Sequence, residues 1–105
     1  MEQGGQQGGD PFVAEASARY RLDAPLRFAT VAALRGRGLE LIGAAASELT
    51  IDLSGVPSAD SAGLALLVDW LAQARASNKV LRYVEPPAAL RSLARLSDVE
   101  RLIMA

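Results

Sequence analysis

The sequence predicts one α/β domain, a mixed β-sheet of about four strands with three to four packed helices. Short runs of β-branched and aliphatic residues, as at positions 48–53 and 80–84, alternate with longer apolar stretches at helical spacing. The strand–helix–strand order predicts parallel pairing through helical crossovers. A chain of 105 residues, half of them apolar, has room for one domain with a hydrophobic core.

The composition excludes several classes of site. The chain contains neither cysteine nor histidine, which removes cysteine nucleophiles, zinc ligand sets and Ser-His-Asp triads. The formal net charge is −1, and this balance does not favour a nucleic-acid partner. We therefore expect no metal, no cofactor and no nucleic acid.

The N-terminal residues 1–11 are rich in glycine and glutamine and predict a flexible tail, followed by one domain over residues 12–105. Phe12 and Val13 either begin an edge strand or dock on the sheet. The start of the chain lacks the basic flank and apolar stretch of a signal peptide. No run approaches the roughly 20 apolar residues that span a bilayer, so we expect a cytoplasmic protein without direct membrane insertion.

The first half of the domain predicts two short strands and a helix. Residues 18–22 alternate as a half-buried strand does, and residues 26–28 continue as a second short strand. Thr30 is positioned to cap a helix. We expect that helix to end or bend near Gly36 and Gly38, because each glycine costs about 1 kcal/mol in a helix interior.

The stretch from Leu49 to Leu71 organises the chain. A buried strand leads through a loop into a helix from Ala62 to about Ser77, and Asp60 or Ser61 occupies the N-cap position. The helix spacing predicts an inward stripe of Leu64, Leu67, Val68, Leu71 and Ala74 and an outward face of Ala62, Ala65, Leu66, Asp69, Trp70 and Gln73.

The C-terminal part predicts a strand and two helical segments. Residues 80–84 form a strand that ends at Glu85-Pro86-Pro87. Pro87 favours the start of a helix over residues 88–96, with Leu90, Leu93 and Leu96 facing inward. Ser97 and Glu100 fit a capping box for a last helical turn that closes on Leu102 and Ile103.

Ser61 is the candidate functional residue, because its hydroxyl lies at the positive end of a helix dipole. A phosphate there would gain backbone amide donors and add about −1.5 to −2 charge. The alternative is that Ser61 is only an N-cap.

Leu66 and Trp70 form an apolar patch on the predicted outward face, which suits partner docking. The alternative is that the N-terminal segment or the last helix covers Trp70.

Asp52 and Asp60 are the candidate acid–base pair of a small hydrolase. No base, metal motif or substrate-orienting cluster accompanies them. The alternative is that Asp52 accepts amides of its own loop and that Asp60 helps to cap the helix.

The residues Ile51-Asp52-Leu53-Ser54-Gly55-Val56 and Ala59-Asp60-Ser61-Ala62-Gly63-Leu64-Ala65-Leu66-Leu67 resemble the signature of STAS domains. Within that family, the run Gly-Leu-Ala-Leu-Leu-Val followed by Trp-Leu looks most like the small STAS subunit of Mla-type ABC transporters. The resemblance implies a non-enzymatic subunit at the inner face of the inner membrane of a Gram-negative bacterium. Such a subunit binds the ATPase of a transporter that moves phospholipids and maintains outer-membrane lipid asymmetry.

The same resemblance leaves a second function open. In anti-sigma factor antagonists, the residue matching Ser61 is phosphorylated by a partner serine kinase, the anti-sigma factor. For either function, the residues expected to bind the partner are those at the loop and along the outward face of the following helix: Asp60, Ser61, Ala62, Gly63, Leu66 and Trp70.

Overall fold

The computed structural model describes residues 9–103. The elements follow the order β1 (Phe12–Ala16), β2 (Arg19–Leu22), α1 (Phe28–Ala44), β3 (Glu48–Asp52), α2 (Ser61–Ala76), β4 (Val80–Val84), α3 (Ala88–Leu96) and α4 (Glu100–Ile103). The predicted α/β class, with a mixed sheet and packed helices, is confirmed.

The sheet has four strands in the order β1-β2-β3-β4. β1 and β2 pair antiparallel, as a hairpin does, whereas β2, β3 and β4 are parallel. The predicted strand over residues 26–28 is wrong, because Leu26 forms only an isolated parallel bridge to Ala59 and α1 begins at Phe28.

One face of the sheet packs on the helices and the other carries polar side chains. Leu49 and Ile51 of β3 and Leu81 and Tyr83 of β4 are buried in the core. Arg82 and Val80 alternate with them and are exposed. This period of two is the pattern of a sheet with one covered face.

Helix α2 lies at the centre of the helical layer and contacts α1, β4, α3 and α4. A helix with neighbours on several sides buries a wide arc of its surface. Its buried residues therefore include Leu66 and Trp70 as well as the predicted Leu64, Leu67 and Ala74. The predicted inward positions Val68 and Leu71 are only half-buried.

Trp70 is the largest fully buried side chain of the core. Its indole Nε1–H donates to the carbonyl of Arg35 in α1 at 3.2 Å, which satisfies the polar atom that burial would otherwise leave unpaired. Its ring meets that of Phe12 edge to face, with centroids 5.8 Å apart. Phe12 and α1 together cover the tryptophan.

Helix α1 runs through both of its internal glycines, so the expected end near Gly36 and Gly38 is wrong. The stripe Leu34, Gly38, Leu41 and Ile42 is buried, and its packing offsets the intrinsic cost of glycine. Gly38 has a packing role, because a Cβ there would overlap the indole of Trp70. Gly36 is exposed and has open space around it.

Near the C-terminus, α3 buries Leu90 and Ala94, and Ile103 of α4 closes the core. The predicted inward position of Leu96 is wrong, because its side chain is 85% exposed. Six residues separate it from Leu90, which at about 3.6 residues per turn places it off the buried stripe.

The predicted tail over residues 1–11 lies largely outside the described residues. Within them, Asp10 forms an ion pair with Arg37 of α1, with Oδ2 and Nη2 2.6 Å apart. The Pro11 carbonyl accepts the backbone N–H of Asp23 at 2.8 Å.

Every helix within residues 9–103 is too short or too polar to cross a membrane.

The two glycines of α1 give a matched pair of stability tests. Gly38→Ala should lower the free energy of unfolding by about 1–3 kcal/mol, because the new methyl group overpacks against the buried indole. Gly36→Ala should raise it by about 1 kcal/mol through helix propensity alone. Urea unfolding followed by circular dichroism measures both changes, and equal effects of the two variants would contradict the packing assigned to Gly38.

Candidate functional site

The loop after β3 brings the start of α2 beside the start of α1. The Leu26 backbone bridges the loop: its N–H donates to the Ser58 carbonyl at 2.9 Å, and its carbonyl accepts the Asp60 N–H at 3.0 Å. The two helix N-termini therefore lie next to each other at one corner of the domain. We call Arg27, Phe28, Asp60 and Ser61 the helix-start corner.

The carboxylate of Asp60 binds both helices at this corner. Its Oδ1 accepts the backbone N–H groups of Ala62 and Gly63 at 3.0 and 3.1 Å, as an N-cap does. Its Oδ2 accepts the N–H of Phe28, the first residue of α1, at 3.0 Å. Of the two N-cap candidates in the sequence, Asp60 is the N-cap of α2.

These hydrogen bonds hold the pKa of Asp60 below its ordinary value of 3.8. The Phe28 N–H has the largest effect and outweighs the opposing effect of desolvation, and the N–H groups of Gly63 and Ala62 and the positive charge of Arg27 lower the pKa further. Each of these groups stabilises the ionised carboxylate. Asp60 is therefore a structural anion at neutral pH.

Ser61 is the first residue of α2 and is exposed to solvent. Because Asp60 supplies the cap, the Ser61 hydroxyl makes no hydrogen bond within residues 9–103 and remains available. The hydroxyl thus sits on a rigid backbone with α2 behind it, which suits contact with a partner or modification by one.

Of the other predicted site residues, Ala62 is half-buried and Gly63 is buried. A Cβ at Gly63 would overlap the Leu26 carbonyl, so glycine there lets α2 approach the loop before α1 closely. Gly63 is therefore a packing residue of the corner and has no side chain that a partner could contact.

The predicted exposure of Leu66 and Trp70 is wrong. Leu66 is 5% exposed and Trp70 is 0% exposed, so neither belongs to a surface patch. The alternative that the N-terminal segment covers Trp70 is confirmed for Phe12, and α1 covers the ring as well. A substitution of Trp70 would test folding and would not probe an interface.

The exposed aromatic residue at the corner is Phe28, whose side chain is 81% exposed. Phe28 is not among the predicted site residues, because the sequence pattern assigned residues 26–28 to a strand. The available signal was Asp23-Ala24-Pro25, a turn after which a helix could begin earlier than Thr30. Thr30 instead accepts the Arg27 N–H at 3.1 Å through its Oγ1, from the third position of α1.

Asp52 is a buried carboxylate at the end of β3. It accepts the Ser54 N–H at 2.8 Å, as expected for a loop-capping aspartate, and lies 3.6 Å from the Arg19 guanidinium. Both aspartates of the hydrolase hypothesis therefore serve the backbone. In the part of the chain that the structure describes, no His, Cys, Asp or Glu side chains group closely enough to hold a metal ion.

Two surface grooves lie away from the corner. One, of about 730 Å³, runs between the second half of α2, the start of β4 and Leu102. The other, of about 390 Å³, lies beside the end of α1 and the start of β3. Neither groove is lined by a residue of the helix-start corner.

Replacing Asp60 by Asn tests the double cap. The amide keeps one oxygen acceptor but loses the second, so the melting temperature at neutral pH should fall. Because the folded-state pKa of Asp60 is lowered, the difference between wild type and variant should be full above the ordinary value of 3.8. It should shrink as the pH falls through the lower folded-state pKa and the wild-type carboxyl gains its proton.

Thermal unfolding measured from pH 7 to pH 2.5 gives this difference, and Asp98→Asn, at an exposed turn after α3, is the control. A difference that does not change with pH would contradict the role of the Asp60 charge.

Solved structures that share this fold include two anti-sigma factor antagonists. The crystal structure of a protein described as an anti-sigma factor antagonist from Thermotoga maritima aligns with a TM-score of 0.72 at 18% identity, covering 89% of this chain and 81% of that one. The unphosphorylated anti-sigma factor antagonist SpoIIAA aligns with a TM-score of 0.68 at 17% identity, covering 89% and 84%. At these identities the likeness shows the fold. A search of curated proteins finds no match.

A family model described as "Mlab, STAS domain" matches residues 13–104, nearly the whole of the described chain. Apart from Phe12, the first residue of β1, the four-stranded mixed sheet lies within that match, as do the loop that ends at Asp60 and the helix that starts at Ser61. The chain therefore belongs to the STAS domain family.

Proposed function

We propose that this STAS domain is a non-enzymatic accessory subunit that binds the ATPase of a phospholipid-transporting ABC transporter through its helix-start corner. The transporter would maintain the lipid asymmetry of the outer membrane in a Gram-negative bacterium. The subunit would work in the cytoplasm and reach the inner face of the inner membrane through its partner.

The observation that carries this proposal is the exposed Ser61 on a corner that the fold makes rigid. Asp60 fixes the backbone on both sides of the corner through three hydrogen bonds. A preorganised surface loses little conformational entropy when a partner binds. The occupied carboxylates of Asp52 and Asp60 also support a binding role over acid–base catalysis.

The description of the matching family model supports the transporter assignment, because it names the Mla group of STAS domains. The resemblance of residues 59–67 and of the following Trp-Leu to the Mla-type subunit points the same way. Binding would raise ATPase activity only if the corner has higher affinity for the productive arrangement of the ATPase than for its other states.

An anti-sigma factor antagonist is the second candidate. The two solved structures described above carry that description, and the exposed Ser61 hydroxyl is the group that a serine kinase would need. A phosphate on Ser61 would add about −1.5 to −2 charge to the corner and would break a complex that buries it.

The variant Ser61→Glu tests whether the helix-start corner binds the ATPase subunit. Glutamate in the first turn of a helix is favoured by the dipole, so the fold should be as stable as the wild type. Affinity for the purified ATPase subunit should fall at least about tenfold, because an added charge becomes buried in the interface. Isothermal titration calorimetry measures the change, and Ser92→Glu, at an exposed serine of α3, is the control. Unchanged affinity of Ser61→Glu would refute the assignment of this face.

Phosphorylation separates the two candidates. An antagonist incubated with its kinase-like anti-sigma factor and ATP should gain one phosphate on Ser61, and the complex of the two proteins should then dissociate. Mass spectrometry of the treated protein and of protein isolated from cells detects the modification. Absence of phosphate in both samples would count against the switch and favour the transporter subunit.

A further inference from the structure

Phe28 is an aromatic side chain that the fold exposes at a fixed position. It is 81% exposed, although it begins a helix whose Leu34, Leu41 and Ile42 are buried. The backbone beneath it is held by the Asp60 carboxylate, which accepts its N–H at 3.0 Å. The phenyl ring therefore projects from an ordered helix start and not from a mobile loop.

The position of Phe28 relative to Ser61 follows from the shared cap. Oδ2 of Asp60 binds the first N–H of α1, while Oδ1 of the same carboxylate binds N–H groups in the first turn of α2. One carboxylate cannot bind two helices unless their starts are neighbours. A partner that contacts Ser61 therefore meets Phe28 on the same surface.

The side chain of Arg27 places an exposed positive charge at this corner and forms no ion pair with any residue from 9 to 103. Asp60 remains ionised, and its negative charge is offset by the three backbone N–H donors of the two helix starts and by the nearby Arg27. A partner that complements this surface has an apolar pocket for Phe28, bordered by carboxylates that pair with Arg27.

We propose that Phe28 is the apolar anchor of the docking surface and that Arg27 pairs with an acidic rim on the partner. The partner is the ATPase subunit of the proposed function, on which this inference rests. Aromatic and arginine side chains are enriched at interfaces, and a rigid aromatic residue gives a large contact area at a low cost in conformational entropy. The cost of exposing Phe28 in the free subunit is recovered when the partner covers it.

The test compares Phe28→Ala with Leu96→Ala by titration of the purified ATPase subunit. The two wild-type side chains are almost equally exposed, at 81% and 85%, but Leu96 ends α3 and is not part of the corner. Phe28→Ala should weaken binding about tenfold or more, and Leu96→Ala should leave affinity within about twofold. Both substitutions remove an exposed side chain, and circular dichroism checks that both variants are folded.

Arg27 is tested by the salt dependence of association. Arg27→Glu should slow association with the ATPase and flatten its dependence on ionic strength, because long-range attraction between opposite charges is screened by salt. Arg91→Glu, at an exposed arginine of α3, carries the same change of charge away from the corner. Equal effects of the two reversals would show that only net charge matters and would overturn the role of Arg27.

Failure of this inference differs from failure of the proposed function. If Ser61→Glu abolishes binding and Phe28→Ala does not affect it, the helix-start corner binds the ATPase but Phe28 is not its apolar anchor. If neither variant changes binding, the assignment of the helix-start corner as the binding surface is wrong. If the wild-type protein alone forms a dimer in analytical ultracentrifugation and Phe28→Ala makes it monomeric, Phe28 serves self-association and the proposal is overturned.

Discussion

The Asp60 carboxylate joins the starts of α1 and α2, and the arrangement of the whole corner depends on it. An N-cap normally satisfies the amides of one helix, whereas this one also accepts the Phe28 N–H across 32 residues of sequence. Because Asp60 serves as the cap, Ser61 is released from that task. One residue therefore provides both the rigidity of the surface and the availability of its hydroxyl.

The core behind the corner is built around a second contact between the same two helices. Trp70 packs on Gly38, donates to the Arg35 carbonyl and is closed by Phe12. The two helices are thus fixed to each other at their starts by a carboxylate and further along by an indole. With two separate contacts, α1 cannot rotate against α2 without breaking one of them, and Phe28 keeps its orientation relative to Ser61.

Much of the fold was predictable because its signals are local. β3, β4, α2 and α3 were located from apolar periodicity and from Gly, Pro and Asn at their ends. The predicted cap of the central helix was correct to within the choice between Asp60 and Ser61. That choice depends on which oxygen reaches which amide, and residue type alone does not decide it.

Three of the errors share one physical cause, because each of them concerns a contact between residues distant in sequence. Periodicity placed Trp70 on an outward face, since the sequence does not show that α1 covers that side of α2. Intrinsic propensity ended α1 at its glycines, since the indole that requires Gly38 lies 32 positions later. Phe28 was assigned to a strand, since the carboxylate that starts the helix there belongs to a different loop.

The burial of Trp70 also gives the molecule an optical property. It is the only tryptophan of the chain, its Cα lies about 13.5 Å along the helix axis from that of Ser61, and its side chain is out of contact with water. Its emission spectrum will shift to the red when the core opens but stay constant when a protein that contains no tryptophan covers the corner. Fluorescence from a single sample can thus distinguish a variant that has lost its fold from one that has lost only its partner.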